Sequence, residues 1–463
     1  MTTSAPSIVL LDAVAALGAR LTGRVLLRDD LPGDGPTAAQ SVAAHSTLIE
    51  HDPAVVVLAE SEADVVEAVR LAAAHDLPVR VHATGHGAAW PVTDGVVVGT
   101  QGLAGVEIDP ATRVARVGAG TRWQAVIDAA AVHGLAPITG SSTHVGVVGY
   151  TLGGGIGPLV RSHGLTTDRV RGARVVLADG TVVETDAEHE PELFWALRGG
   201  KGGLGVVTRL DLELVELSSL YAGSLTFDTP HVEDAFRGWA RWTATAPDDV
   251  STSAVILALP DLPFVPEPLR GRTVLTVRFA YAGDAHEGAL RAAPLRALAP
   301  VLTDALGEIP TTAVATIHAD PEDASPSWVS GAGLREVDES FVDRFLAEYG
   351  PGSDSPFVAA ELRHLGGAAA RDVDGGSAAG GRTAGFLLSL VGVDPPRVPD
   401  MVANAQALAA WSAPWAASET NANFLSGPWT EETLERAWSP ETSSRLRSVR
   451  ARYDPAGRFP LGA

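Results

Sequence analysis

This 463-residue chain has no cysteine. Disulfides, thiolate nucleophiles and cysteine metal ligands are therefore excluded from any account of its chemistry. Positive charge is also scarce: 34 lysines and arginines face 56 acidic residues, for a formal net charge of −22. Nucleic-acid backbones and anionic membrane surfaces both demand a basic face, so neither is expected as a partner. No apolar run reaches the ~18 residues that suggest a transmembrane helix. The apolar stretch Ile8 to Leu17 carries Asp12 and lacks a basic region before it. It reads as a first helix rather than a signal peptide, which makes the cytoplasm the expected location.

What is present points to a packed enzyme-sized molecule. Hydrophobic residues make up 46% of the chain, and its length is too great for one core, so two domains that could interleave are expected. Glycine is concentrated in a few places. One is the turn Ala83-Thr84-Gly85-His86-Gly87; another is Gly146-Val147-Val148-Gly149-Tyr150-Thr151-Leu152-Gly153-Gly154-Gly155-Ile156-Gly157. Without Cβ atoms, such loops bring backbone N–H groups close to a phosphate or a flat ring. A histidine inside the first turn is presented to whatever the loops cradle.

The pattern around these loops predicts secondary structure. Val55 to Ala59 reads as a buried strand, Ser61 with Asp64 as a capping box, and the residues to His75 as a helix. Leu77 to Val81 then forms a strand that runs into the His86 turn, where α/β folds tend to place ligands. Gly95 to Gly99, Val106 to Asp109 and Val114 to Gly118 read as strands, with Thr121 capping a helix through His133. Ala178-Asp179-Gly180 marks a hairpin between Val175 to Leu177 and Thr181 to Val183. Pro191 to Leu197 reads as a short helix. Beyond residue 217 phosphate-type glycine loops stop. Val274 to Phe279, Val358 to Leu365 and Phe386 to Val393 read as strands, Ala285 to Leu298 as a helix, and Gly366 to Gly381 as a mobile loop. A last helix is expected around Glu431 to Trp438.

Taken in order, Gly85-His86, Val145-Gly146 through Gly157, His163-Gly164-Leu165-Thr166-Thr167-Asp168, Leu193 through Gly200 and Gly205-Val206-Val207-Thr208 form a specific set. The set resembles the flavoproteins of the vanillyl-alcohol oxidase and p-cresol methylhydroxylase superfamily, and within it the berberine bridge enzyme-like oxidases. The resemblance runs from about Pro53 to Leu217, fades through the middle, and returns at Asn423 and the tail Tyr453-Asp454-Pro455. It implies an α+β architecture. A two-part FAD-binding domain of the PCMH type (residues 1–217, with a C-terminal return at 411–463) would surround a substrate-binding domain (218–410). That central domain would be an antiparallel sheet backed by helices.

The resemblance further implies FAD, with His86 bonded to the 8α-methyl carbon of the flavin. Ala83, Thr84, Gly85 and Gly87 would wrap the pyrophosphate, as would the segment from Ser141 to Gly157. That segment contributes Ser141, Ser142, Val145, Gly146, Gly149, Tyr150, Gly154 and Gly157 as candidate contacts. Val206 and Val207 match positions beside the adenine end, and Asn423 an asparagine near the polar edge of the ring. Two departures stand out. His82 and Thr84 replace the arginine and glycine of many relatives. Ser142 stands where bicovalent relatives carry a cysteine, so a second linkage of that kind is chemically impossible here.

Other residues carry two readings. His144 and His163 lie near the proposed site, where a lone histidine is more often structural than catalytic. Lys201 follows glycines but is no Walker lysine, since Gly202 stands where Ser or Thr is needed. Tyr150 could touch the ring or substrate, or pack in the core. Glu361 and Arg363 share one face of a strand. Glu361 would serve as a general base if burial raised its pKa toward neutrality; otherwise the two form a pair that holds structure. The implied function is a flavin-dependent oxidase that takes hydride from a small-molecule alcohol, amine or natural-product intermediate and passes electrons to O2. A cyclase or other redox-neutral enzyme on the same fold is one alternative. A non-catalytic flavin or metabolite binding protein is another. The acidity of the chain sets an overall field unfavourable to strongly anionic substrates.

Overall fold

Short runs of valine begin the fold. Val55–Leu58 and Val96–Gly99 are buried along nearly their whole length and pair in parallel, as continuous apolar strands do. Val79–His82 adds a third parallel strand at one edge and Arg24–Leu27 an antiparallel one at the other. This is a computed structural model, and it describes residues 8–29, 35–263, 265, 267–425 and 431–461. The helix Glu62–Ala74 crosses the sheet and is started by the expected capping box. The Ser61 hydroxyl accepts from the Asp64 amide, and the Asp64 carboxylate accepts from Ser61. Val65, Ala68, Val69 and Ala72 pack its buried face onto the strands.

A second, antiparallel sheet follows, in the order Val106–Asp109, Val114–Gly118, Val206–Glu213, Val170–Val176 and Val182–Thr185. The Asp179-Gly180 hairpin sits where expected. Thr121 does not cap the next helix. That helix, Trp123–Ala131, takes Arg122 as its N-cap with no side-chain bond. The Thr121 hydroxyl is instead committed to Gly105, donating to its carbonyl and accepting from its amide, both at 3.0 Å. The Gly105 carbonyl also accepts from the Gly118 amide at 2.9 Å, so the Thr121 hydroxyl fastens the segment before Val106 to the strand end instead of serving the helix.

The central region is one antiparallel sheet of eight strands between Ser219 and Gly392. The helices Val232–Thr243, Glu339–Tyr349 and Val398–Trp411 cover one face. Phe236, Trp239, Phe341 and Phe345 from these helices meet Ala254, Ile256, Val277, Phe279, Leu362 and Leu388 from the strands. Burial of each aromatic ring contributes about 1.5–3 kcal/mol. Period-2 alternation then forces the intervening residues, among them Ser251, Ser253, Arg278, Glu361, Arg363 and Ser389, onto the opposite face. That face looks toward the glycine loops.

The C-terminal segment returns to the first half. The helix Pro440–Tyr453 packs on Pro191–Leu197, where the Arg445 guanidinium lies 3.9 Å over the Trp195 ring and pairs with Glu192. Farther on, the Arg458 carbonyl accepts from the Val79 amide at 2.7 Å, and its guanidinium donates to the carbonyls of Ala72 and Leu77. The segment from Gly366 to Gly381 is tied down, contrary to the expectation of a loose loop. It holds a turn of 3-10 helix, Gly367–Ala370, and exchanges bonds with Arg198 at Gly376 and Ala378. Its small residues let arginine and backbone groups reach it. The helix expected to run to Trp438 is the shorter Glu431–Glu435. Among the described residues no helix is long and apolar enough to cross a membrane.

Candidate active site

The Val79–His82 strand delivers the His86 turn. Gly85 has φ +75°, and a Cβ there would stand 2.6 Å from the Ala43 carbonyl oxygen, so a side chain is excluded by both space and conformation. The segment 43–47 packs against the turn in consequence. Its His45 amide donates to the Gly85 carbonyl at 3.1 Å, and the His45 and His86 rings stack at 3.8 Å. Burial pushes the His86 pKa down to about 4, and the neighbouring charges of His45, Arg122 and His144 push the same way. His86 is thus a neutral imidazole at neutral pH. His82 braces the turn from behind through the Ala43 carbonyl and Gln101 and is held neutral by burial, at about 4.

Thr84 joins this turn to the second glycine loop by accepting from the Gly146 amide at 3.2 Å. Gly146 opens the short helix Val147–Leu152. Tyr150 turns inward from that helix, its ring edge-on to Trp123 at 5.9 Å. Cβ atoms on Gly140 or Gly155 would strike the ring at 2.8 and 2.7 Å, and Gly155 also needs its φ of +79°. A Cβ on Gly153 would fall on the Asn423 amide, and one on Gly157 on the Thr139 carbonyl. Gly87 and Gly149 differ: nothing stands within 4 Å of a Cβ placed there. They leave open room beside the backbone.

Asn423 joins the loop from the C-terminal part of the chain. Its Nδ2 donates to the Tyr150 carbonyl at 2.8 Å, and its Oδ1 accepts from Lys201 Nζ at 2.6 Å. Ala83 lies in the first turn, within contact range of Gly146. Ser141 and Ser142 are half-buried before the helix, and the Val145 carbonyl accepts from the Trp123 amide. Gly154 sits at φ +108°. Val206 and Val207 are fully buried and pack into two different hydrophobic clusters. His144 pairs with Glu322 at 2.7 Å, and His163 with the Ser162 hydroxyl at 2.8 Å. Near His144, Ser46 and Ser325 form a backbone bridge, and the Ser46 hydroxyl donates to Ser327. The two halves of the chain meet there.

Across from the glycine loop lies the charged face of the central sheet. The register sets Arg278 and Arg363 on either side of Ser253, with Glu361 two residues along. Glu361 Oε1 meets Arg278 at 2.6 Å, and Oε2 meets Arg363 Nε at 2.9 Å. Burial opposes its charge, but Arg363 and Arg278, with help from His318 and Ser253, hold the carboxyl well below the usual carboxylate range. The condition for Glu361 as a base poised near neutrality is therefore not met; the two guanidiniums outweigh burial. Tyr150 is no base either. Burial raises its hydroxyl pKa, and Thr166 and Arg363 offset this only in part.

Between the loop and this face runs a narrow cleft, with Ile156, Pro158 and Val160 on one wall and Arg278, His318 and Arg363 on the other. His318 escaped the sequence reading. Burial, then Arg278 and Arg363, hold its pKa well below the usual value, so it is neutral, and its Nδ1 has no partner among the described residues. It lies 3.8 Å from Glu361. Arg278 was also missed, although Leu275, Val277 and Phe279 around it mark its face by alternation.

Residues 53–186 match the family model for an FAD binding domain. A curated relative, (R)-6-hydroxynicotine oxidase of Paenarthrobacter nicotinovorans, is 35% identical over 178 residues. That match covers 38% of this chain and 39% of the relative. The chain spans only 34–40% of the length of the curated relatives it matches at this level. Likeness over most of the chain is seen with the FAD-linked oxidoreductase anuG of Penicillium roqueforti, 28% identical over 88% of this chain and 83% of that one, and with solved structures. The 6-hydroxy-D-nicotine oxidase of Arthrobacter nicotinovorans superposes with a TM-score of 0.78 at 25% identity, covering 95% of this chain and 96% of that one. The BBE-like 1 protein of Physcomitrella patens gives 0.81 at 19% identity, covering 98% of each.

Proposed function

The chain carries an FAD binding domain and has the fold of the berberine bridge enzyme-like flavoprotein oxidases, and from this premise we propose that it is an FAD-dependent oxidoreductase, an oxidase, joined to its cofactor by one covalent bond from His86. The observation that carries this reading is the His86 imidazole. It is neutral, presented by a turn that admits no Cβ at Gly85, and tied through Thr84 to the second glycine loop. The residues fit a large flat cofactor. Gly87 and Gly149 leave the backbone uncovered, and the chain offers no cysteine for a second bond.

When bound, FAD supplies the acceptor for a hydride from a small-molecule alcohol, amine or natural-product intermediate, and O2 is the proposed acceptor in turn. The oxidase name of the nicotine-related relative supports a small-molecule substrate. The rest falls to side chains. We assign positioning of the substrate to Arg278 and Arg363, which Glu361 fixes in place, and hydrogen-bond donation to Tyr150. His318, a neutral imidazole lining the cleft whose Nδ1 has no partner among the described residues, is assigned a hydrogen bond to a substrate O–H or N–H. Holding both partners in line supplies much of the rate advantage. Residues 1–217 and 411–463 would form the flavin part and 218–410 the substrate part.

Acid precipitation of the purified protein, followed by absorbance and intact mass of the pellet, tests the reading. A yellow pellet carrying one flavin mass, lost in His86→Ala, is the expected result. A colourless pellet under a yellow supernatant removes the covalent bond. No flavin in either fraction after reconstitution with FAD removes the proposal.

A further inference from the structure

The loop Gly199 to Gly205 contains a cation that the reaction above does not use. Lys201 sits at φ +70°, a region that residues with side chains avoid, though glycines flank its loop on both sides. Its side chain is half-buried, and desolvation lowers the pKa of its ammonium to about 8. Among the described residues its ammonium makes one hydrogen bond, to Asn423 Oδ1 at 2.6 Å, and meets no carboxylate within ion-pair distance. In a chain with 56 acidic residues, that isolation is informative. A buried, unpaired charge is costly and persists where an opposite charge is to arrive.

The surroundings hold the lysine firmly. Its amide donates to the Leu152 carbonyl at 2.9 Å, and Arg450 grips the carbonyls of Gly200 and Gly202 at 2.8 and 3.1 Å. The Asn423 amide cannot turn away, because its nitrogen is committed to the Tyr150 carbonyl. The helix Val147–Leu152 sets the distance. His86 belongs to the turn tied to Gly146 at its start, whereas Lys201 meets its last residue. Six residues of helix advance about 9 Å, the scale of a three-ring system.

We propose that Lys201 is the counter-cation for the negative charge that the flavin ring acquires on reduction, placed at the end of the ring remote from His86 and aimed by Asn423. The inference rests on the flavin reading above. A hydride delivers two electrons and one proton, so the ring gains one net negative charge, which one ammonium balances. Lys201 is a positioning charge rather than a catalytic residue. The other anion that FAD could offer it is the diphosphate, and the test separates the two.

Wild type, Lys201→Met and Lys201→Arg, each loaded with FAD, are compared by flavin content per chain and by midpoint potential against a reference dye. The expected result is unchanged flavin content in Lys201→Met with a more negative potential. A tenfold change in the two-electron equilibrium corresponds to about 30 mV. Lys201→Arg restores most of it. An unchanged potential in Lys201→Met overturns the proposal. Loss of flavin from Lys201→Met but not Lys201→Arg assigns the charge to the diphosphate and overturns it too. If Lys201→Met does not fold, Asn423→Asp provides the same readout by setting a carboxylate against the ammonium. A wild type without flavin fails the flavin reading itself, before any variant is compared.

Discussion

The glycine-loop half and the central sheet solve the same problem, how to place polar groups inside a protein, by opposite means. The loops do it with backbone. Gly85, Gly153, Gly155 and Gly157 each abut a carbonyl or side chain that would collide with a Cβ, and their functional atoms are mostly amides and carbonyls. The sheet does it with long side chains, each placed by alternation and each dependent on a partner: Arg278, Glu361 and Arg363 form one charged unit. One region is vulnerable to added atoms, the other to removed charges.

Acid is expected to have the largest effect, because several sites act together. Burial first of all depresses His82, His86 and His163 to about 4 and His364 to about 3. Three of the four lie in the glycine-loop half. The unfolded chain takes up protons below its ordinary histidine pKa of about 6.5, whereas the folded one does not until about 4. Stability is therefore fully present above pH 6.5 and is lost as the pH falls toward 4. Urea midpoints at pH 7, 6 and 5 should fall in that order; a flat profile would deny that these histidines are held neutral.

Glu361→Leu comes next. It strands two buried guanidiniums, and breaking a buried pair costs about 3–5 kcal/mol, readable by urea denaturation at pH 7. A harmless substitution would erase the contrast between the two regions. Gly157→Ala forces a methyl group onto the Thr139 carbonyl and should cost about 1–3 kcal/mol. Thr84→Val removes one hydrogen bond between the glycine loops, worth about 1 kcal/mol. Gly149→Ala sharpens the comparison most finely. With open space around it in a helix, alanine should leave the flavin-free protein unchanged or more stable by up to about 1 kcal/mol. Flavin content should nonetheless drop if the bare backbone is there to receive the cofactor.

What the sequence made legible follows the same division. Features that depend on neighbours in the chain could be read directly: the Ser61–Asp64 box, the Asp179-Gly180 hairpin, the His86 turn at the end of a parallel strand. Thr121 shows the limit, since the partner that took its hydroxyl lies across a chain crossing. The charged face needed more. That Glu361 and Arg363 point together was readable from their spacing, but Arg278 stands 83 residues away, and it adds to the pull of Arg363 that lowers the Glu361 pKa against burial. Lys201 and Asn423 are 222 residues apart, so the isolation of that ammonium was invisible until the chain was folded. Composition misled once, when a run of glycine, alanine and serine after Gly366 suggested looseness where arginines fasten it.

The tail at Arg458 has a consequence for biosynthesis. It secures Val79, on the strand that presents His86, and its guanidinium reaches Leu77 across 381 residues of sequence. At about 5–20 residues per second, a ribosome needs roughly 20–80 s to make that intervening stretch. For all of that time the strand that presents His86 waits without its last hydrogen-bonding neighbour. A chain cut short before Arg458 should therefore hold less flavin than the full one, read as flavin absorbance per chain.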